Sequence, residues 1–285
     1  MTATIAPRTL TRQGRDAVRR PRMLRNTLTM AWRAMLRVRR EPELATDAIF
    51  IPVLFTLMFT YLFGGALAGS PREYLRFLLP GTLVLTVLLI TVTAGVSLNT
   101  DRARGTLDRY RSMPVWQPSV VVGGLVGDIA RYVLATCLVL GIGLLMGYRP
   151  PGGAGGAVLA VALILVFAFS VSWIWTALGL ALRSAQAVTV LSFAVQLPLT
   201  FASNVFVSPA TLPGWLRAFV NVNPVSHLVT AERALMDGTP AATQVGWVLL
   251  ASAALIAVFS PLTMHLYRNA SNLLPPSPTW QRRWP

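Results

Sequence analysis

The sequence predicts an all-α integral membrane protein with six transmembrane helices. Of the 285 residues, 54% are hydrophobic and only 12% are charged, whereas a soluble domain carries about 25% charged residues. Residues 48–71 and 77–100 contain no charged side chain, and about 20 apolar residues in a helix cross the hydrocarbon core of a bilayer. This pattern excludes a soluble nucleic-acid-binding protein, although the net charge of +15 alone would favour one.

Six apolar stretches are separated by charged or Pro/Gly-rich connections. The predicted spans are 47–69, 77–99, 128–148, 157–182, 187–203 and 243–267. The sequence PPGG at 150–153 interrupts the chain between the third and fourth spans, because Pro and Gly both disfavour a continuing helix. Residues 116–127 are uncharged but Gly-rich, so they either extend the third helix or form a connection.

The N-terminal segment is predicted to lie on the membrane surface. Within 26–40, Leu28 and Trp32 recur at helical spacing, and Arg33 and Arg37 share another face. An amphipathic helix of this kind rests on an anionic leaflet; the alternative interpretation is an ordinary basic flank. The predicted organisation is a basic tail with this interfacial helix (1–45), a transmembrane domain (46–267) and a C-terminal tail (268–285).

The distribution of Arg predicts the orientation. All 25 basic residues are Arg. With six spans and a cytoplasmic N-terminus, 19 of them fall on the cytoplasmic side and five on the outside. Because short cytoplasmic loops carry the excess of basic residues, we expect both termini to face the cytoplasm.

The connection before the last span, 204–240, is too apolar to be an unstructured loop. Leu212, Trp215 and Phe219 form a helical stripe. A second helical pattern follows Pro224, and Pro is favoured at the first position of a helix. We predict two short amphipathic helices at the outer boundary of the membrane.

Residues 101–111, DRARGTLDRYR, form what we call the charged segment, between the second and third predicted spans. Arg104 and Asp108 would be i, i+4 neighbours on a helix. The spacing therefore predicts one short helix over the whole segment, with Asn99 or Thr100 as its N-terminal cap.

Two acids and a glycine in the charged segment need an explanation beyond topology. The positive-inside rule accounts for its four Arg residues but not for Asp101 or Asp108, since acids contribute little to orientation. Gly105 would cost about 1 kcal/mol within a helix. Both charge signs, together with a Gly that permits close approach, indicate a docking surface for another protein.

Residues 101–115, DRARGTLDRYRSMPV, resemble a signature of ABC-2 type export permeases, particularly the daunorubicin-resistance-like group. That signature follows the second span and reads Glu-Arg-Glu-Arg-Gly-Thr, then Leu, an acid, Arg, any residue, Arg and a hydrophobic-Pro ending. Ala103 departs from it, because the second acid is missing. The segment 212–235 is similar to the external stretch of the family, in which Pro-Gly-Trp and Asn-Pro elements recur. The resemblance covers roughly residues 40–267.

The resemblance implies a permease subunit of an ABC exporter in the bacterial plasma membrane. The substrate would be a hydrophobic drug, lipid or polyketide-like compound, and the partners a second permease copy, the bilayer and a cytoplasmic ATPase. The charged segment would be the coupling helix that contacts this ATPase. The residues implied in that contact are Asp101, Arg102, Arg104, Gly105, Thr106, Asp108, Arg109 and Arg111.

The chain itself is predicted to be neither an enzyme nor a nucleotide-binding protein. Because it contains no Lys, the phosphate-binding loop GxxxxGK[ST] cannot occur, so ATP and Mg²⁺ are expected on the partner. Two His and the single Cys137 do not make a convincing zinc site. An intramembrane enzyme is the weakest alternative, and a non-transporting scaffold that binds anionic lipid through the Arg-rich tail is a stronger one.

Polar residues within the predicted spans are further candidates for functional positions. Asp128 and Arg131 are spaced to neutralise each other near the start of the third span. An Arg at the bilayer centre costs about 2.5–3.5 kcal/mol, so snorkelling of Arg131 to the inner interface is favoured over a role in substrate binding. Ser192, Gln196 and Asn204 on the fifth span are predicted to face the interior of the bundle.

Overall fold

The computed structural model describes residues 27–32, 50, 53–62, 64–65, 69–111, 118–206 and 213–269, and the regular secondary structure in these ranges is all helical. The helices are α1 (27–32), α2 (Val53–Leu62), α3 (Pro71–Ala103), α4 (Thr106–Arg111), α5 (Pro118–Leu145), α6 (Gly153–Ala181), α7 (Ala185–Phe201), α8 (Gly214–Val222), α9 (Pro224–Asp237) and α10 (Ala242–Asn269). The all-α prediction is confirmed for this part of the chain.

Four helices, α3, α5, α6 and α10, are long and apolar enough to cross a membrane. They contain between 28 and 33 residues, so each exceeds the hydrocarbon thickness of about 30 Å. Helix α7 has 17 residues, about 25 Å, and overlaps the fifth predicted span. Helix α2 lies within the first predicted span, part of which is outside the described residues. The structure therefore supports a multi-pass membrane protein without establishing all six spans.

Two of the long helices begin earlier than the sequence predicted. Helix α3 starts at Pro71 because the Ser70 hydroxyl accepts a hydrogen bond from the backbone N–H of Glu73 at 3.2 Å, which caps the helix. Helix α5 starts at Pro118, so most of 116–127 extends the third predicted span, as one of the two alternatives proposed.

Helices α3, α6 and α10 run in one direction and α5 runs in the opposite direction, which defines two ends of the bundle. Helices α3, α6 and α10 finish at the end that carries the charged segment, which we call the charged end. The Asn99 side chain there donates hydrogen bonds to the Gly179 and Leu182 carbonyls at the end of α6, both at 2.8 Å. Helices α8 and α9 lie at the opposite end, where the Gly152 N–H donates to the Met236 carbonyl of α9 at 2.8 Å.

Helix α3 is the centre of the bundle. It is the most buried of the four candidate spans, and it packs against α5, α6, α7 and α9. Where α3 crosses α6, a Cβ atom added to Gly95 would overlap the backbone of Trp175, and one added to Gly179 would overlap the backbone of Gly95. The two backbones are therefore in direct contact, which only small residues allow.

Polar bonds hold the helices together on both sides of this crossing. The indole N–H of Trp175 on α6 donates to the Thr91 hydroxyl of α3 at 3.0 Å. At the α8–α9 end, Asn223 joins α9 to α7: its Oδ1 accepts from the Val225 N–H at 2.9 Å, and its Nδ2 donates to the Leu199 carbonyl at 2.7 Å. The linker between α8 and α9 is thus attached to the end of α7.

A separate apolar cluster closes the charged end. It is formed by side chains of α3, α4, α5, α6 and α10, including Leu98, Leu107, Tyr110, Leu125, Trp173, Leu180 and Tyr267. Met30 of α1 packs against it. Leu28 and Trp32 of α1 are exposed, and the rest of the predicted interfacial helix lies outside the described residues.

Replacing Gly95 with Leu should strongly destabilise the protein. The new side chain has to enter the backbone contact between α3 and α6, and overpacking of this kind costs about 1–3 kcal/mol or more. We expect the thermal midpoint of the full-length chain in detergent to fall by roughly 5 °C or more.

The matched control for this substitution is Gly141→Leu in α5, where an added Cβ meets no atom within 4 Å. We expect its midpoint to stay close to that of the unaltered chain. Equal midpoints for the two variants would contradict the Gly95–Gly179 contact.

Candidate functional site

The charged segment consists of two helical pieces joined by a turn. Asp101, Arg102 and Ala103 form the last turn of α3, and α4 begins at Thr106. The prediction of one continuous helix over 101–111 is wrong.

The break in the charged segment occurs at Gly105, which has φ +69°. This left-handed conformation is accessible to Gly at low cost and ends helices, and the Gly105 N–H bonds to the Arg102 carbonyl at 3.0 Å. A Cβ added to Gly105 would meet no atom within 4 Å. Within this chain, the glycine therefore serves the turn and not a close approach.

The predicted cap residues have other roles. Asn99 lies inside α3, is 3% exposed and caps the end of α6, so it is not the N-terminal cap of a helix over 101–111. Thr100 also lies inside α3, and its hydroxyl donates to the Val96 carbonyl at 2.9 Å. Sequence spacing misassigned both residues because it could not detect the Gly105 turn.

Arg102 connects the charged segment to α6. Its guanidinium donates to the Leu180 carbonyl in the last turn of α6, where carbonyl groups lack helical partners and a positive charge is favourable. With Asn99 bonded to the neighbouring carbonyls, the ends of α3 and α6 are joined by three side-chain hydrogen bonds.

The surface of the charged segment is basic and is held from beneath by apolar anchors. Leu107 and Tyr110 of α4 are 2% and 9% exposed in the apolar cluster of the charged end. Ala103, Arg104 and Arg109 are exposed. Asp108 and Arg111 belong to α4, but the positions of their side chains lie outside the described part of the structure.

Asp128 and Arg131 are brought together on α5, as predicted. The Arg131 Nη1 atom is 3.4 Å from the Asp128 Oδ1 atom and donates to the Thr93 hydroxyl of α3 at 3.0 Å. Arg131 is 8% exposed and lies 13 residues after the start of α5, about 20 Å along the helix. Arg131 therefore bonds across to α3, and its snorkelling to the inner interface stays a prediction.

The polar residues predicted to face the bundle interior from α7 and its end are buried. Ser192, Gln196 and Asn204 are 0%, 2% and 5% exposed. Asn204 donates to the Thr230 hydroxyl of α9 at 2.8 Å. The side-chain polar atoms of Ser192 and Gln196 have no hydrogen-bond partner among the described residues.

Sequence reasoning missed the roles of two adjacent residues of α9. Arg233 was counted only as an external basic residue, yet its guanidinium donates to the carbonyls of Phe77 at 3.0 Å, Asn204 at 2.8 Å and Val205 at 3.1 Å. It also lies 3.8 Å above the centre of the Phe77 ring, a favourable cation–π contact. Burial lowers the pKa of Arg233 to about 10, so the side chain stays charged at neutral pH.

Glu232, the other missed residue, is 0% exposed. It occupies the buried stripe of α9 together with Val225, Val229 and Met236. The signal was present in the sequence, since these positions recur at three- and four-residue spacing and one of them is charged. It went unnoticed because an acid at a core position cannot be told from a surface acid without the packing.

The ABC-2 type transporter family model matches residues 25–236 of the chain. The daunorubicin resistance ABC transporter permease protein DrrB1 of Streptomyces coeruleorubidus is 51% identical over 243 residues, which cover 85% of this chain and 86% of that protein. The probable doxorubicin resistance ABC transporter permease protein DrrC of Mycobacterium tuberculosis is 25% identical over 86% of this chain and 89% of its own length. A putative transport permease, ycf38, of Porphyra purpurea is 25% identical over 73% of this chain and 72% of that protein.

The Asp128–Arg131 pair gives a stability prediction. Arg131→Met removes the cation next to a largely buried carboxylate, and breaking a buried pair costs about 3 kcal/mol. We expect a lower thermal midpoint, and we expect the double variant Asp128→Asn/Arg131→Met to regain part of the loss because the amide is uncharged. Arg76→Met, at an exposed position of α3, is the control. If the effects of Asp128→Asn and Arg131→Met simply add, the two side chains are not coupled.

Proposed function

The chain belongs to the ABC-2 type transporter family, and we propose that it is the membrane permease subunit of an ATP-driven exporter with a separate cytoplasmic ATPase. The relatives DrrB1 and DrrC are named as permease proteins of drug-resistance ABC transporters. These names agree with the prediction of a transport subunit rather than an enzyme. They also favour transport over the alternative of a membrane scaffold.

The observation that carries the proposal is that the charged segment exposes Arg104 and Arg109 above its buried apolar anchors. We call this exposed part the basic turn. Arg104 and Arg109 are exposed, whereas Leu107 and Tyr110 are buried in the bundle. A basic patch on a fixed support suits docking to an acidic surface of another protein. Of the coupling residues proposed from the family resemblance, Arg104 and Arg109 are assigned to the contact itself, and Arg102 positions the segment against α6.

The nucleotide belongs to the partner in this proposal. The chain contains no Lys, so it lacks the residue that reaches the phosphates in a GxxxxGK[ST] loop. ATP and Mg²⁺ are therefore assigned to the ATPase subunit. The basic turn is the contact through which a movement of the ATPase subunit would be transmitted to the transmembrane helices.

Several contacts support transmission of such movement from the charged segment through α3. The end of α3 is bonded to the end of α6 through Asn99, and the backbones of the two helices touch at Gly95 and Gly179. At the other end of α3, the Phe77 carbonyl accepts from Arg233 of α9. We propose that a displacement of α4 moves α3 and α6 together and that this movement also displaces α9.

The proposed substrate is a hydrophobic drug, lipid or polyketide-like compound carried from the inner leaflet outward. Two relatives are named for resistance to daunorubicin and doxorubicin. Helix α7 presents exposed apolar side chains such as Val190, Val195 and Phe201, which supply surface for lipid and for the second permease copy that we propose. The buried Ser192 and Gln196 lie on its inner face.

We further propose the six-span topology in the bacterial plasma membrane with both termini in the cytoplasm. Its support is the distribution of Arg and the overlap of α2 and α7 with the first and fifth predicted spans. In this orientation the charged end faces the cytoplasm, where an ATPase would bind. Helices α8 and α9 then lie on the outside.

Changing the basic turn should uncouple the permease from its ATPase. The test co-expresses this chain with a candidate ABC ATPase subunit supplied as a separate chain. Arg104→Glu reverses a charge at the proposed contact, and Gly105→Leu places a side chain where φ is +69°, which strains the turn. We expect each variant to reduce co-purification of the ATPase and its stimulated ATP hydrolysis about tenfold, since one charged contact contributes about 1.5 kcal/mol or more.

The matched control is Arg72→Glu, an equal charge reversal at an exposed position of the opposite end. It should leave complex formation and ATP hydrolysis unchanged. If both turn variants keep the complex and the stimulated hydrolysis, the charged segment is not the ATPase contact.

A further inference from the structure

Glu232 lies in the apolar core at the α8–α9 end of the bundle. The other members of its stripe, Val225, Leu228, Val229 and Met236, are at most 1% exposed. Helix α9 packs against α3 and α6, the two helices that cross at the glycine contact, and against α10. A carboxyl group in this position is neither a surface acid nor part of the charged segment.

Within the described ranges, the Glu232 carboxyl group has no partner that could neutralise it. Neither of its oxygen atoms makes a hydrogen bond with any described residue. The adjacent Arg233 points to the carbonyls of Phe77, Asn204 and Val205. A buried carboxylate without partners is strongly disfavoured, and such groups take up a proton instead.

The surrounding titratable groups do not compensate for this burial. On the elements packed against or next to Glu232 they are His227, Arg233 and Asp237 of α9, Arg217 of α8, Arg72, Glu73, Tyr74 and Arg76 of α3, and Tyr148 and Arg149 before α6. Helix α6 has no titratable side chain, and His265, Tyr267 and Arg268 of α10 are at the charged end. Burial raises the pKa of Glu232 well above its usual value.

Tyr148, in the loop before α6, is a buried titratable residue whose pKa is affected by Glu232. It is 2% exposed, and its hydroxyl also lacks a hydrogen-bond partner within the described ranges. Burial raises the pKa of Tyr148 to about 12, and the negative charges of Asp237 and Glu232 contribute to the increase.

We propose that Glu232 is a proton-binding site that holds α9 in its docked position against α3 and α6. When the site loses its proton, the carboxyl O–H bond breaks, the proton passes to water and the electron pair remains on the carboxylate. The charged group then has to reach water, which requires α9 to move away from the core. The contacts that this movement would break are the bond from Gly152 to Met236 and those from Arg233 to α3 and to the segment after α7.

The sign of the pH effect follows from the direction of the shift. A Glu in an unfolded chain has a pKa of about 4.3, and the folded value for Glu232 is higher. The folded protein therefore binds the proton more tightly than the unfolded chain does. The stability that Glu232 gains from this tighter proton binding is fully present below the unfolded pKa. It is lost as the pH rises from there through the folded pKa.

The first test compares thermal midpoints of the full-length chain in detergent from about pH 5 to about pH 8. Relative to Glu232→Gln, whose amide stays neutral, the unaltered chain should lose roughly 3 °C for each pH unit over the window in which only the unfolded state is ionised. Asp237→Asn, which removes an exposed acid from the same helix, should keep the pH slope of the unaltered chain. Parallel slopes for the Gln variant and the unaltered chain would overturn the proposal.

A second test examines the site without relying on the stability of a variant. Hydrogen exchange of α9 in the unaltered chain should accelerate with rising pH beyond the intrinsic increase, while exchange of α5 follows the intrinsic rate. Infrared spectra at neutral pH should contain the C=O band of a buried protonated carboxyl group, and this band should disappear in Glu232→Gln. Absence of the band from the unaltered chain, or an α9 that exchanges at the same relative rate at all pH values, would overturn the proposal. Neither test depends on the proposed transport function.

Discussion

The backbone contact between α3 and α6 at Gly95 and Gly179 is the constraint on which the rest of the bundle depends. Because the two helices touch without intervening side chains, their relative position is set by backbone atoms, which do not change rotamer. Two further helices that carry candidate residues are placed against this pair: α5 through the bond from Arg131 to Thr93, and α9 through the bond from Arg233 to Phe77. In a membrane, where apolar burial adds little between helices, such close packing and polar bonds supply the adhesion.

Several of the polar bonds between described helices lie where helices end. At the charged end, Asn99 and Arg102 satisfy carbonyl groups that α6 leaves unpaired. At the α8–α9 end, Asn223 bonds to a carbonyl in the last turn of α7, and Arg233 bonds to carbonyls of the segment after α7 and of α3. The core between them is held mainly by apolar contacts. The two surfaces that concern function, the basic turn and the α9 face with Glu232, are thereby attached to opposite ends of one continuous helix.

The features that could be predicted from the sequence are those that depend on local composition. Uncharged stretches located the long helices, and Pro224 marked the start of α9. The charge pattern identified 101–111 as a candidate surface, but not its broken shape, because a positive φ at Gly105 leaves no trace in spacing. The environment of Glu232 was not predictable, because its burial comes from α3 and α6, which are distant in sequence.

The turn at Gly105 also decides how a load on the charged segment would spread. If α4 continued α3, pressure on it would bend or rotate that single helix. Instead, α4 is separated from α3 by the turn at Gly105 and places Leu107 and Tyr110 among side chains of α3, α5, α6 and α10. A force on its outer surface is therefore distributed over the ends of four helices. Such a force would displace the ends of these helices together and would not rotate a single helix.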